Sequence, residues 1–511
     1  MLFMKRSSQC FRKSLVLKFG HNMTSHNIPR CMSTQHPDNV SQPFFAEHAQ
    51  LGGEDEIQEA YYAYSHLGCD EQMWDAEGKE VDTFVVKKLL TKNEQFFRTH
   101  RLGNELRLTV RVPNPEVEKT EGKILLETLE SIPRSFDAAR AFYGDDVTAP
   151  IFEVILPMTT SAESLDRIYH YYKDFVVGKG NTAVRPNDIS VSEWVGEFRP
   201  ETVHVIPLFE DKEHMLASAD ILREYLKDKD VSYQRVFLAR SDPAVNYGSI
   251  SAVLINKIAL QRLHLLGEEL GIPIYPILGA GSAPFRGNLR PQTVDGMLRG
   301  YPSVQTFTIQ SSFKFDNDPA IVQSAIQKLL TTERQKPLAV PEEQVLDIIE
   351  RYSARYQEQL AELVDVINEV AVHIPKRRKR KLHIGLFGYS RTMGKKHLPR
   401  AITFTASLYS LGVPPELLGL DALTEEDMAV IKEVYPSIDL DLKDAIRFVD
   451  MDSPYLPTAV KDRVVSWYGD VSQDTEHIVA TKQICNAMMS HSNDDLSHLV
   501  LLAAQRRGFL G

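Results

Sequence analysis

Glu210 closes the apolar run VIPLFE, and Asp242 follows a second one in RVFLARSD, beside Arg240. Cations and an amide recur further along: Arg286 and Arg290 in GAGSAPFRGNLRP, Gln310 and Lys314 in IQSSFKF, Arg391 in GYSR, and Arg400 in HLPRAITF. Two carboxylates on neighbouring strands suit a hard cation, because Mg²⁺ takes one or two carboxylates and completes its octahedron with water and substrate oxygens. Arginine adds planar, paired donors that match phosphate and carboxylate. A divalent metal ringed by Arg and Lys implies a small substrate with several negative charges, and a phosphorylated carboxylic acid fits that description. Taken singly, a strand-end acid is more often a helix cap or a surface ion partner. The signal is the conjunction across successive strands. His36, in CMSTQHPDN, is a further candidate as general base, acid or oxyanion partner.

These groups need elements that deliver them to one place. Runs rich in Val, Ile, Leu, Phe and Thr predict strands over 105–112, 151–157, 202–209, 233–239, 272–279, 303–310 and 382–388. Segments of helical period predict helices over 161–175, 211–228, 249–269, 318–331, 341–373, 412–430 and 476–505. Strands alternating with helices imply parallel pairing, and continuous apolar strands imply burial on both faces. Seven such units with room for an eighth predict an α/β fold, a (β/α)₈ TIM-type barrel elaborated with many additional helices. No GxGxxG or GxxxxGK[ST] signature is present to favour a doubly wound nucleotide-binding sheet. In a barrel, catalytic groups stand where strands end. The Gly-rich loop 279–288 is suited to close backbone approach to an anion or to closing over the site.

Composition sets outer bounds. The 511 residues are 43% hydrophobic and 25% charged, as in a globular enzyme, and the net charge of −11 argues against a nucleic-acid-binding body. Cys10, Cys31, Cys69 and Cys485 are widely spaced without a CxxC pair, which fits a reduced cytoplasm rather than a disulfide or zinc framework. No apolar run approaches the roughly 20 residues of a membrane span. The basic run PKRRKRK (375–381) is read as a solvated turn in preference to a nucleic-acid patch. Residues 1–30 are basic and free of acids, and are read as a disordered or spurious extension in preference to an organellar presequence. Residues 31–511 are expected to form one barrel domain with helical elaborations.

From Cys31 to Gly511 the chain resembles the phosphoenolpyruvate carboxylases, in particular the shorter archaeal-type enzymes. The strings CMSTQHPDNV, EDEIQEAYYAYSHLGCDEQMWDAEGKEVD, FLARSDPAVNYG and GYSRTMGKKHLPRAITFTASLYSLGVPPELLG carry the resemblance. TQHPD resembles the Thr-x-His-Pro-Thr/Ser motif of the longer bacterial and plant enzymes, which implies a catalytic His36. PLFE and ARSDP resemble their metal-holding strand ends, which implies Glu210 and Asp242 as ligands of Mg²⁺, with Mn²⁺ able to substitute. The resemblance further implies catalytic Arg286 and Arg391 and substrate-binding Arg400, Gln310 and Lys314. Ala280 replaces the first arginine of the family's Gly-rich loop, and Arg240 is the candidate for the missing charge. The ending QRRGFLG differs from the longer enzymes' Arg-Asn-Thr-Gly tail, so their allosteric behaviour is not carried over. The implied reaction joins phosphoenolpyruvate and bicarbonate into oxaloacetate and phosphate, through carboxyphosphate and a metal-stabilised enolate. The implied setting is an anaplerotic, cytoplasmic homotetramer that engages neither nucleic acid nor membrane. Two alternatives stay open: another Mg²⁺-dependent barrel lyase acting on phosphoenolpyruvate or pyruvate, and a non-catalytic barrel that senses an anionic metabolite.

Overall fold

The computed structural model describes residues 27–76, 82–379, 392–393, 396–469, 472–490 and 495–511. Eight parallel strands close a barrel in chain order: β1 (Cys31–Ser33), β2 (Glu71–Asp75), β3 (Arg107–Arg111), β4 (Glu153–Leu156), β5 (His204–Phe209), β6 (Gln234–Ala239), β7 (Ile274–Gly279) and β8 (Thr306–Ile309). The seam runs between β8 and β1, with Cys31 opposite Phe307 and Ser33 opposite Ile309. Nearly every strand residue is buried, because helices cover the outside and side chains fill the inside.

A strand turns every second side chain inward, so the barrel interior is built in layers. At the N-terminal end the layer is ionic: Arg235 donates to Glu71 at 2.6 and 2.7 Å and to Glu153 at 2.8 Å, and Arg107 donates to Glu153 at 2.9 Å. Thr109 and Thr306 also bond into it. The next layer is apolar, with Met32, Met73, Ile155, Ile206, Phe237 and Ile277 packed together. Beyond it, the last inward positions of several strands are again polar: Asp75, Arg111, Thr308 and, just past β5 and β8, Glu210 and Gln310.

The strands expected near 107, 153, 204, 234, 274 and 306 are present, each somewhat shorter than its apolar run. β1 and β2 were not expected. CMS is only three residues long, and EQMWD carries two acids and an amide that read as surface but are buried in the barrel. The expected strand 382–388 lies outside the described residues, and the barrel closes without it. The helices expected at 249–269, 318–331 and 341–373 form as Ser249–Leu270, Pro319–Thr331 and Glu342–Ala371. The segment 476–505 is two helices, Thr475–Met489 and Leu496–Arg507. Residues 412–430 are helical only from Glu425 onward. Gly412 and Gly419 hold φ at 71° and 84°, and Pro414–Pro415 denies the donors a helix needs, so short 3₁₀ turns take the place of the first half. A helix not expected, Ala401–Ser410, follows Arg400.

Two further expectations are corrected. The basic run is not a solvated turn over its middle: Arg377 and Arg378 are buried, one bonded to the carbonyls of Asn39 and Val40, the other to Glu59 and Glu56. Residues 27–30, assigned to the extension, are built into the barrel base. The carbonyls of Asn27, Ile28 and Pro29 accept from Arg107, Gln305 and Thr306. Among the described residues, no helix is long and apolar enough to cross a membrane.

Candidate active site

A cavity of about 350 Å³ opens at the C-terminal end of the barrel. Its wall gathers His36, Arg111, Glu210, Arg240, Asp242, Arg286, Gln310 and Arg400. The alternation of the strands places them: the polar layer past the apolar one is the floor of this cavity. Glu210 is steadied from the turn just past β4, where Met158 donates its main-chain N–H to Oε2 at 2.8 Å. Met158 holds φ at 48°, an unfavourable left-handed conformation for a side chain of its size, and Asn114 secures it by donating to the carbonyls of Pro157 and Met158.

His36 accepts or donates at Nδ1 to Thr34 Oγ1, 2.9 Å away, while Thr34 donates to the Ile309 carbonyl at 3.3 Å. A hydroxyl that donates its proton to a carbonyl accepts from the ring, an arrangement that suits the tautomer with its proton on Nδ1. Arg286 is held more completely. Nε donates to Ser241 Oγ at 3.1 Å, Nη1 to the Gly511 main-chain oxygen at 2.7 Å and to Asp38 at 3.4 Å, and Nη2 to Gln310 at 2.6 Å. Burial pulls its basicity down, and Asp38 and Asp242 oppose that pull. Gly281 is required beside it, because an added Cβ would sit 2.7 Å from the guanidinium carbon.

Three sequence expectations are placed differently. Lys314 is fully buried off the cavity wall, donating to Glu59 at 2.8 Å and to Ser33 and the Thr34 carbonyl, so it braces β1. Arg240 touches the cavity wall, but its three guanidinium nitrogens are buried away from it, beside the Tyr301 hydroxyl. The side chain passes under Gly287 towards Lys257, Tyr301 and Asp441, whose charges it feels. The loop 279–288 is no free flap: residues 280–289 are all buried, and its main chain is self-bonded, as from Leu289 to Gly281 at 2.9 Å. Arg391 lies outside the described residues.

Sequence reasoning passed over Arg111, the strand-end cation of ELRLTVRV. Its guanidinium meets Asp75 in a bidentate pair at 3.0 and 2.8 Å and lines the cavity. Its position, the last inward residue of an expected strand, was the available signal. Also unforeseen is Glu416, whose carboxyl burial pushes up to about 7. It accepts from Tyr409 at 2.8 Å and meets the main-chain N–H of Phe285, next to Arg286. A carboxyl raised in the fold stabilises it below the ordinary value near 4.5, and that contribution is lost as pH rises through 7. Glu416→Gln is therefore expected to match the wild type in thermal stability near pH 4.5 and to exceed it at pH 8, by on the order of 3 kcal/mol. Melting curves across that range check it.

A closed eight-stranded parallel barrel with acids and arginines at its strand ends defines a barrel enzyme with a site for a polyanionic substrate. The family model described as phosphoenolpyruvate carboxylase matches residues 28–511. The chain belongs to the phosphoenolpyruvate carboxylase family, in its archaeal type. It is 58% identical over 484 residues to the phosphoenolpyruvate carboxylase of Methanothermobacter thermautotrophicus, covering 95% of this chain and 100% of that one. It is 56% identical to that of Methanospirillum hungatei over 484 residues and 50% identical to that of Halobacterium salinarum over 497, with the same coverage. Among solved structures, an HpcH/HpaI aldolase from Desulfitobacterium hafniense matches at TM-score 0.31 and 14% identity, covering 59% of this chain and 90% of that one. A citrate lyase from Burkholderia xenovorans matches at TM-score 0.35 and 12% identity, covering 79% and 96%.

Proposed function

We propose that the cavity joins phosphoenolpyruvate and bicarbonate to give oxaloacetate and inorganic phosphate. The observation that carries this reading is the meeting of Glu210 and Asp242 with His36, Arg111, Arg286 and Arg400 on the wall of one cavity. Among the described residues no cluster of three or more His, Cys, Asp or Glu is set to enclose a metal. Two acids on one wall fit Mg²⁺ or Mn²⁺, which leaves most of its coordination to water and substrate. Held by Glu210 and Asp242, the cation would supply Lewis-acid stabilisation of the negative charge that develops on substrate oxygen.

The chain's own groups do the rest. Arg400 and Arg111 bind the phosphate of phosphoenolpyruvate and orient it for attack by a bicarbonate oxygen on phosphorus. That attack forms carboxyphosphate and breaks the bond to the enol oxygen. Arg286 holds the carboxyphosphate. His36 Nε2 removes its acidic proton, so that it divides into CO₂ and phosphate. The enolate carbon then attacks CO₂. The cavity must keep water from the enolate, since protonation there would give pyruvate instead. Gln310 contributes by fixing Arg286, and Lys314 and Arg240 by bracing what lies behind the wall.

The test measures oxaloacetate with malate dehydrogenase and NADH, omitting phosphoenolpyruvate, Mg²⁺ or bicarbonate in turn. Turnover that needs all three is expected. Release of pyruvate and phosphate at a rate indifferent to bicarbonate, with no oxaloacetate formed, would overturn this reading.

A further inference from the structure

We propose that Asp38 is the positioning residue for Arg286, a role that rests on the reading of Arg286 given above. Asp38 is fully buried, and its carboxylate is the point where three elements meet. Oδ1 accepts from the main-chain N–H of Ser312 at 2.7 Å, at the start of the helix Ser311–Phe315. Oδ2 accepts from the main-chain N–H of Ser282 at 3.1 Å, in the Gly-rich loop, and from Arg286 Nη1 at 3.4 Å. Its own carbonyl accepts from Leu510 N–H at 2.9 Å, beside the Gly511 oxygen that also takes Arg286. Asp38 stands two residues beyond His36, so one short segment carries both a basic ring and the anchor for the cation opposite it.

The count of donors shows what this anchoring does. A guanidinium has five N–H groups in a fixed fork. Ser241, Asp38, Gly511 and Gln310 take four of them, which leaves one Nη2–H to offer to a ligand. Arg286 is thus a cation of set direction.

The charge matters as much as the geometry. Two carboxylates act on Arg286, those of Asp38 and Asp242, and only Asp38 reaches ion-pair distance. A buried cation that loses its paired acid turns to the next one. Here the next is Asp242, one of the two acids of the cavity floor. Asp38 therefore keeps Arg286 on the anion side of the cavity and leaves Asp242 to its own task.

The experiment compares Asp38→Asn, Arg286→Gln and the double variant. It reads oxaloacetate and released phosphate separately, with melting temperature alongside. Asp38→Asn is expected to lower kcat by about 10- to 100-fold and to raise the ratio of phosphate to oxaloacetate above that of the wild type, because a displaced Arg286 lets carboxyphosphate go astray. In the Arg286→Gln background the same change is expected to cost no further activity and to recover melting temperature, since the pair is then neutral at both positions. Asp38→Asn with wild-type kcat and product ratio would overturn the proposal, as would losses that simply multiply in the double variant. If Asp38→Asn alone does not fold, the double variant against Arg286→Gln still decides: an equal or higher melting temperature supports the pair, and a further fall rejects it. A wild-type protein that makes no oxaloacetate would instead reject the functional reading itself, before any variant is made.

Discussion

Glu210→Gln and Asp242→Asn are each expected to lower oxaloacetate formation by about 10²- to 10³-fold while the barrel stays folded. The size follows from the wall they share. They stand at the ends of adjacent strands, and each change removes a full charge from the only acid pair on it among the described residues. Glu210 also has a main-chain partner, so the neutral amide keeps the Met158 bond at 2.8 Å and the local fold survives. A loss of rate in such a variant is a loss of charge. The check is the initial rate across an Mg²⁺ titration, with Mn²⁺ binding followed separately by its paramagnetic resonance. Both variants should bind Mn²⁺ more weakly than the wild type without turnover. A wild-type rate in Asp242→Asn would sink the assignment of the metal ligands.

Arg235→Met is expected to destabilise the protein by about 3–5 kcal/mol, more than any other single change in the barrel base. Arg235 is fully buried and bridges Glu71 to Glu153. Its loss strands Glu71 with the Thr109 hydroxyl, while Glu153 keeps Arg107. Burial by itself would push the Glu153 carboxyl up, but Arg235 and Arg107 together hold it down at about 2. A carboxyl lowered in the fold contributes stability above the ordinary value near 4.5, and that contribution is lost as pH falls through 2. The gap in stability between wild type and Arg235→Met should therefore be full at pH 7 and shrink below pH 4. Urea unfolding at pH 7 and pH 3 measures it. An unchanged unfolding midpoint at pH 7 would show that the ionic layer is dispensable.

The strands ending at Glu210 and Asp242 were legible because each is an apolar run that stops at charge. The long helices 249–270 and 342–371 were legible because their apolar residues recur at helical spacing, the second without an internal Gly or Pro. β2 was not, since EQMWD carries two acids and an amide in five residues and shows no apolar run. Local pattern cannot distinguish an acid facing water from Glu71 facing Arg235, which lies 164 residues away. The same limit hid Arg111: its pairing with Asp75 exists only when β2 and β3 are aligned. It also misplaced Arg240 and Lys314, whose strand-end positions promised a ligand and whose side chains instead run behind the wall.

The chain's own pattern determined a parallel barrel, the identity of its acid pair, and the chemistry that an acid pair among arginines can perform. Those follow from period and residue type, which are local properties. Which cations face the cavity, which brace it, and which acid governs Arg286 were decided by the tertiary structure alone. Direction and pairing of a side chain depend on neighbours brought in from far along the chain, and the closing of β8 onto β1 brings Asp38 to Arg286 across 248 residues.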